Sequence, residues 1–445
     1  MFHVKHRFSL GYPEILRGNM TRDFDFAKLV QKYQNKTAIV DNGRAYNYGE
    51  LADKVAAVYK AHQFNAPYVV LIAQSNLTFI SQFLAIHKAG CVPVVVNQRE
   101  APQLATLLSA IDWQWLDDCA VSKKKPITRS NLLFLGMTSG TTGTPKFYQR
   151  DWLSWQLGFK QCEKAFEMTD YAGVMTTSPM ATSLGLHSLL LSLYLGKTFY
   201  CYTRQQQQQL TSATLVYTVP TFMTAKYRGW ADDAQVKGVV SCGGELTPSL
   251  VRDWHRLYPQ QALYELYGAS ETSLIAFQNL MHGKKVNQVG RLFADVELTF
   301  TNQHITVASP YLFSGYLGST QKITFVETDD VGDYQDEQLF VYGRASDVIN
   351  HGGNKIYPSQ LETILQTITT AAVVFGVPDS TYGEKIVAMV VTNKPLDKLQ
   401  MVMAEQTPAY KRPSQYIFVS EIPKTKQQKI SRTQLALRYV AGEWT

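Results

Sequence analysis

Residues 68–97 read YVVLIAQSNLTFISQFLAIHKAGCVPVVVN, in which a helix-like stretch separates two apolar runs. Short apolar runs predict buried strands, and the spacing of the apolar residues between them predicts an amphipathic helix. The run TAIV and the stretch ELADKVAAVYKAH extend this alternation upstream, over residues 37–62. Such an alternation indicates βαβ units with parallel strands. We therefore predict an α/β protein whose large N-terminal domain contains mostly parallel sheets flanked by helices.

A second pattern begins after about Gly343. A helix-like stretch, SQLETILQTI, is followed by two strand-like runs, AAVVFGV and KIVAMVVT, and then by a basic tail. This order predicts a small α+β C-terminal domain over residues 344–445, and residues 1–343 form the larger domain. Residues 1–19 precede the first amphipathic stretch and are expected to be either a loose extension or the product of an early start codon.

Composition limits the possible classes of protein, although charge alone does not choose between partners. The 445 residues carry a formal charge of +7, an excess too small to indicate a nucleic-acid partner. The five cysteines show neither CxxC pairing nor zinc-ligand spacing. No apolar run is long enough to predict a transmembrane segment, so a cytoplasmic protein is expected.

A phosphate-binding loop is predicted where residues 132–147 read LLFLGMTSGTTGTPKF. An apolar strand runs into small and hydroxyl-bearing residues, whose backbone and side chains approach and bind phosphate oxygens closely. The GxxxxGK[ST] spacing of a P-loop is missing, which excludes that class of nucleotide site.

Four further motifs follow in order along the chain: YELYGASETS at 264–273, TDDVGDY at 328–334, YGRASDVINHGGNKIYPSQLE at 342–362 and PKTKQQKISRTQL at 423–435. With the glycine-rich loop they resemble the adenylate-forming superfamily, which comprises acyl-CoA synthetases, peptide-synthetase adenylation domains and luciferases. The resemblance covers nearly the whole chain, and five ordered motifs are far more specific than any single match.

The resemblance implies ATP, Mg²⁺ and coenzyme A as cofactors, and a carboxylic acid as substrate. Lys429, Glu271 and Ser270 would be catalytic: Lys429 would bridge the carboxylate and the α-phosphate, Glu271 would bind the metal, and Ser270 would donate to the α-phosphate. Asp347 would be the hinge about which the small domain moves. The acyl and pantetheine pocket would contain Thr182, Ser183, Gly352 and Gly353. The nucleotide-binding set would be Thr138, Ser139, Gly140, Thr141, Thr142, Gly143, Lys146, Gly243, Gly244, Glu245, Tyr267, Gly268, Asp330 and Arg344.

Four positions depart from the family pattern. Phe147, Asp329 and Gln428 each replace a glycine, and Thr182 or Ser183 stands where the family usually carries histidine or an aromatic residue. Phe147 and Gln428 are expected to stiffen or shift loops that glycine normally leaves free. The small residues at 182 and 183 predict an open mouth to the thiol tunnel.

Three functions are compatible with these motifs. The favoured one is activation of a carboxylic acid, a medium- or long-chain fatty acid before an aromatic acid or o-succinylbenzoate, to an acyl-adenylate that is passed to coenzyme A. The second is loading of an acyl or amino acid onto a separate phosphopantetheine carrier protein. The third, a degenerate regulatory protein, is disfavoured because Lys429, Glu271, Asp330 and Arg344 are all present.

Overall fold

The computed structural model describes residues 23–117, 131–138, 146–203, 209–224, 227–319, 321–424 and 430–444. Over these ranges the chain forms ten α-helices: α1 Phe26–Tyr33, α2 Tyr48–Ala61, α3 Leu77–Lys88, α4 Leu104–Leu107, α5 Trp152–Ala165, α6 Ser183–Leu195, α7 Pro248–Leu257, α8 Pro358–Leu365, α9 Leu396–Gln406 and α10 Arg432–Val440.

The same ranges contain strands that form three sheets. In chain order they are β1 Thr37–Asp41, β2 Arg44–Asn47, β3 Tyr68–Ile72, β4 Val92–Val96, β5 Trp113–Trp115, β6 Leu132–Thr138, β7 Lys146–Asp151, β8 Gly173–Thr176, β9 Thr198–Tyr200, β10 Thr214–Thr218, β11 Val236–Cys242, β12 Ala262–Tyr267, β13 Ala276–Asn279, β14 Gln288–Leu292, β15 Glu297–Thr301, β16 His304–Ala308, β17 Val326–Gln335, β18 Gln338–Arg344, β19 Ile349–His351, β20 Asn354–Ile356, β21 Ala371–Asp379, β22 Gly383–Val391 and β23 Gln415–Phe418.

The predicted βαβ unit is present. Strands β3 and β4 pair in parallel, with Val70 opposite Val94, and α3 packs against both. Asn76 caps α3 by accepting a hydrogen bond from the amide of Phe79 at 2.9 Å. This unit belongs to a five-stranded sheet in the order β5-β3-β4-β6-β7, in which only β7 runs antiparallel to its neighbour.

The largest sheet has thirteen strands, in the order β15-β16-β17-β18-β14-β13-β12-β11-β10-β8-β9-β1-β2. Its middle, from β12 through β11, β10 and β8 to β9 and β1, is parallel, whereas β13 to β18 pair antiparallel. One apolar core reaches both large sheets, since it contains Leu71 of β3, Phe134 of β6 and Leu215 of β10. The α/β class is confirmed, and the antiparallel extension is a feature that the apolar pattern did not predict.

The remaining sheet consists of β19 to β23 and begins just after the large sheet ends at Arg344. Strand β22 lies at its centre, and α8 and α10 both pack against β21. Its core is separate from that of the large sheets, with clusters around Val374 and Phe375. None of the helices in the described ranges combines the length and the apolar character needed to cross a bilayer.

A buried ion pair lies where the large sheet changes from parallel to antiparallel. The Lys284 ammonium contacts the Glu265 carboxylate, and their side chains are only 2% and 5% exposed. Gln278, which faces Glu265 across β12 and β13, donates to the same carboxylate at 2.6 Å. Lys284 also donates to the carbonyl of Gln288 at 2.6 Å. The pair therefore joins β12, β13 and β14.

We expect Lys284→Met to lower the free energy of unfolding by about 3–5 kcal/mol, because the Glu265 carboxylate would stay buried without its cation. The double variant K284M/E265Q should recover at least half of that loss, since neither charge is then present. Urea denaturation of the three proteins, followed by circular dichroism, measures both effects. A single variant within about 1 kcal/mol of the wild type would show that the pair does not stabilise this junction.

Candidate functional site

The predicted motif turns meet at one edge of the large sheet. Strands β8, β10, β11 and β12 are parallel neighbours, so their carboxyl ends lie side by side. Ligands bind at this edge in open α/β sheets. Residues Thr182 and Ser183 follow β8, the Gly243–Gly244–Glu245 turn follows β11, and Gly268, Ser270 and Glu271 follow β12.

Tyr267, Asp330 and Arg344 form one group beside this edge. The Tyr267 hydroxyl donates to Asp330 Oδ2 at 2.5 Å, and Asp330 lies opposite Arg344 in the β17–β18 pair. Burial raises the pKa of Asp330, while the hydrogen bond from Tyr267 and the charge of Arg344 oppose that rise. One oxygen of the Asp330 carboxylate is therefore bound to Tyr267.

The turn after β12 requires glycine at position 268. A Cβ atom there would lie 1.8 Å from the carbonyl oxygen of Ser273, which excludes any side chain. The Ser273 amide donates to the Ala269 carbonyl at 2.8 Å, so the chain folds back tightly over residues 269–273. This close packing places Ser270 and Glu271 beside the carboxyl end of β12.

Glu271 is held by a neighbouring tyrosine. The Tyr316 hydroxyl donates to Glu271 Oε1 at 2.8 Å, and the Lys146 ammonium lies 5.5 Å from the centre of the Tyr316 ring. Within the described ranges, no cluster of three His, Cys, Asp or Glu side chains could hold a metal. A single carboxylate suits Mg²⁺ that arrives with ATP, because such Mg²⁺ takes its other ligands from phosphate and water.

The described ends of the glycine-rich motif lie opposite each other. Thr138 ends β6 and Lys146 begins β7, and the Thr138 hydroxyl donates to the Lys146 carbonyl at 3.4 Å. Ser139, Gly140, Thr141, Thr142 and Gly143 lie outside the described residues, as does Lys429.

The start of α6 contains the two residues predicted for the acyl and thiol pocket. Thr182 caps this helix: its hydroxyl accepts from the Gly185 amide at 3.2 Å and donates to the Pro179 carbonyl at 2.7 Å. Ser183 and Ser270 both approach the buried Tyr148 hydroxyl and oppose the effect of burial, which raises the pKa of Tyr148 to about 12. Ser183, predicted for the acyl pocket, and Ser270, predicted to contact phosphate, therefore both lie near Tyr148.

Residues of the C-terminal part of the chain that contains the sheet of β19 to β23, here called the small sheet region, approach the turn after β11. Gly243 adopts a φ of 75°, the left-handed conformation that favours glycine. Glu245 is exposed, yet desolvation by the surrounding protein, together with the nearby Glu362 carboxylate, raises its pKa to about 7. Lys284 and Arg432 oppose this rise.

Arg432 joins the predicted hinge to the small sheet region. It donates to Asp347 Oδ2 at 2.9 Å and to both carboxylate oxygens of Glu362 at 2.8 Å. Glu362 in turn accepts from the Val374 amide at 2.7 Å. Gly352 and Gly353, with φ values of 57° and 77°, form the turn between β19 and β20.

Two departures from the motif pattern have a structural explanation. Phe147 is 4% exposed and packs in the apolar cluster beside the five-stranded sheet. A glycine here would leave the backbone freer, whereas the phenyl ring makes contacts in the core. Asp329 accepts a hydrogen bond from the Ser346 hydroxyl at 2.5 Å, which ties β17 to the hinge segment. Gln428 lies outside the described residues.

The motifs did not indicate Arg150, Tyr316 or Arg432 as site residues. Arg432 follows the predicted catalytic lysine by three positions, and this spacing was the one available signal. Tyr316 lies in an irregular segment, and no local pattern links it to Glu271.

Two family models match this chain. Residues 99–317 match the model of the AMP-binding enzymes, and residues 365–429 match that of the AMP-binding enzyme C-terminal domain. Together the two models cover more than half of the 445 residues.

Several curated relatives are CoA ligases by name. A putative long-chain fatty acid–CoA ligase, VraA, of Staphylococcus epidermidis is 28% identical over 93% of this chain and 97% of its own. The uncharacterised acyl–CoA ligase YhfT of Bacillus subtilis is 28% identical over 82% of this chain and 87% of its own. A 2-succinylbenzoate–CoA ligase of Lactococcus lactis is 28% identical over 71% of this chain and 73% of its own.

Solved structures share the fold. The o-succinylbenzoate CoA synthetase MenE of Bacillus subtilis, in complex with its acyl-adenylate intermediate, superposes with a TM-score of 0.76 at 18% identity, covering 92% of this chain and 97% of its own. ATP-bound MatB of Rhodopseudomonas palustris gives 0.76 at 19% identity, with 93% and 98% covered. The chain therefore belongs to the AMP-binding enzyme family, and its relatives place it among the AMP-forming CoA ligases.

Proposed function

We propose that the protein activates a medium- or long-chain fatty acid with ATP and transfers the acyl group to coenzyme A. The observation that supports this most is the placement of Tyr267, Asp330 and Glu271 around one sheet edge, beside the flanks of the glycine-rich motif. The fatty acid is favoured by the name of the staphylococcal relative, which matches nearly the whole chain.

The first step brings together two anions, the acid and the triphosphate, so that charge repulsion must be overcome. The site does this by positioning and by electrostatic stabilisation. In our proposal Asp330 and Arg344 bind the ribose, Tyr267 lies against adenine, and Ser270 donates to the α-phosphate. Bound Mg²⁺ would neutralise phosphate charge, with Glu271 as its protein ligand.

We further propose that Lys429 bridges the carboxylate and the α-phosphate as pyrophosphate leaves. The remaining members of the nucleotide set would surround the phosphates and the base: Thr138, Ser139, Gly140, Thr141, Thr142, Gly143, Lys146, Gly243, Gly244, Glu245 and Gly268. Thr182 and Ser183 would border the acyl pocket, and Gly352 and Gly353 would face the pantetheine arm. We place the protein in the cytoplasm, because Cys91, Cys162, Cys201 and Cys242 are free thiols.

A panel of acids in ATP–pyrophosphate exchange tests the function. We expect exchange with fatty acids to exceed that with benzoate, o-succinylbenzoate and amino acids by at least about tenfold, and the same acids to give CoA thioesters. A best acid from the aromatic set would replace the fatty-acid assignment. Exchange without any CoA thioester, combined with acylation of a phosphopantetheinylated carrier protein, would favour carrier loading instead.

We propose that residues 344–445 form a small mobile domain that rotates about Asp347 between the two steps. The separate sheet and core of this region support that boundary. In the present orientation the Asp347 carboxylate is bound to Arg432. A rotation changes the backbone angles at the hinge, and proline would fix φ there.

Asp347→Pro should therefore retain ATP–pyrophosphate exchange but lower thioester formation by at least about tenfold, because one of the two orientations becomes inaccessible. Asp347→Asn is the matched control, since it removes the charge that binds Arg432 and leaves the backbone free. Both half-reactions are measured separately, the second from supplied acyl-adenylate and CoA. If D347P forms thioester at the rate of D347N, the hinge is not at this residue.

A further inference from the structure

Arg150, in β7, is a fully buried cation close to the proposed catalytic turn. Its exposed fraction is 0%. Its guanidinium donates to the carbonyl of Ser270 at 2.6 Å, to the carbonyl of Tyr311 at 2.8 Å and to the hydroxyl of Ser154 at 3.3 Å. Two of these three acceptors belong to loops that lie more than a hundred residues away in sequence.

The charge of Arg150 is not neutralised by a close ion pair. No carboxylate within the described part of the chain lies within 4.0 Å of it, and its Nε atom is buried without a hydrogen-bond partner there. Burial lowers the pKa of Arg150, and the nearby carboxylates of Asp151 and Glu271 oppose that effect. Arginine remains charged in proteins. Burying such a cation costs several kcal/mol, so the interactions it makes must offset that cost.

A separate set of contacts links β7 to Glu271. The residues flanking Gly315 pair with β7, because the Gln149 amide donates to the Gly315 carbonyl and the Ser314 amide to the Gln149 carbonyl, both at 2.9 Å. The same segment holds Glu271 at two points: the Phe313 amide donates to its carbonyl at 2.8 Å, and the Tyr316 hydroxyl donates to its carboxylate at 2.8 Å.

Arg150 adds a further contact to this turn. It lies next to Gln149 in β7, and it holds the carbonyl of Ser270, the residue directly before Glu271. One strand therefore fixes both the segment that binds the Glu271 carboxylate and the peptide that precedes it. The phosphate-binding serine and the proposed Mg²⁺ ligand are positioned by the same strand that contains Lys146.

We propose that Arg150 is a positioning residue for the adenylation step: it fixes the Ser270–Glu271 turn so that the carboxylate of Glu271 is in place for Mg²⁺·ATP. The proposal rests on the function given above, in which Glu271 binds the metal. Outer partners of a metal ligand typically change metal affinity or activity by about 10–100-fold when they are removed. The planar guanidinium of arginine donates to two carbonyls at once. A lysine ammonium would make these two hydrogen bonds with poorer geometry.

The test compares Arg150→Met and Arg150→Lys with the wild type, and uses Ser154→Ala as the matched control. S154A removes the longest of the three hydrogen bonds and leaves both carbonyl contacts. Two readouts are recorded: the Mg²⁺ concentration that gives half-maximal ATP–pyrophosphate exchange, and the shift in melting temperature caused by Mg²⁺·ATP in the absence of any acid.

We expect R150M to raise the half-saturating Mg²⁺ concentration by about 10–100-fold and to abolish most of the Mg²⁺·ATP-induced thermal shift. R150K should give a smaller change in the same direction, because lysine keeps the positive charge but lacks the planar guanidinium. S154A should match the wild type in both readouts. In Arg150→Ala, guanidinium at low millimolar concentration should partly restore the wild-type Mg²⁺ dependence by filling the vacated space.

A purely structural role gives a different pattern. It would lower the melting temperature of the free protein while leaving the half-saturating Mg²⁺ concentration unchanged, and that result overturns the proposal. Should R150M fail to fold, R150K decides in the same way: a wild-type Mg²⁺ dependence overturns the proposal and a raised one supports it. If the wild type shows no exchange with any acid, the proposed function fails, but the thermal shift without acid still reports on Arg150.

Discussion

The parallel pairing of β8, β10, β11 and β12 is the constraint on which the site depends. Parallel strands place their carboxyl ends at one edge, and the chain puts a motif turn after three of these four strands. The strands are held by apolar residues with almost no exposure, such as Leu215 and Val240. A rigid sheet thus fixes the positions of side chains that are distant in sequence.

The antiparallel extension has a separate role. Strands β17 and β18 bring Asp330 and Arg344 beside Tyr267, and they end where the hinge segment begins. The residues proposed to bind the ribose, Asp330 and Arg344, therefore belong to one strand pair, and the proposed pivot Asp347 follows that pair by three residues. In our proposal, movement of the small C-terminal domain therefore starts next to the strand pair that carries Asp330 and Arg344.

Charge is distributed unevenly around this edge. Arg344 lies across β17–β18 from Asp330, and Arg432 binds both Asp347 and Glu362, whereas Arg150 is buried with no carboxylate among the described residues within 4.0 Å. The reaction joins an acid to a polyphosphate of the same sign, and fixed cations lower the energy of that encounter.

Local sequence patterns predicted the elements better than their contacts. The βαβ unit at residues 68–97 and the turn after β12 followed from apolar spacing and from glycine, because both are short-range properties. The burial of Arg150 could not be predicted, since an alternating strand pattern does not say which face is covered by a segment such as 311–317. The Glu265–Lys284 pair and the Arg432 contacts likewise depend on tertiary packing across 19 and 85 residues of sequence.

The route of oxygen through the reaction tests the central claim most directly. If the carboxylate attacks the α-phosphorus, an acid labelled with ¹⁸O in both carboxylate positions must transfer one labelled oxygen to AMP. We predict that mass spectrometry of the products, with the best acid and CoA present, finds AMP carrying one ¹⁸O and pyrophosphate carrying none. Unlabelled AMP, or ADP and phosphate as the products, would contradict the adenylate mechanism.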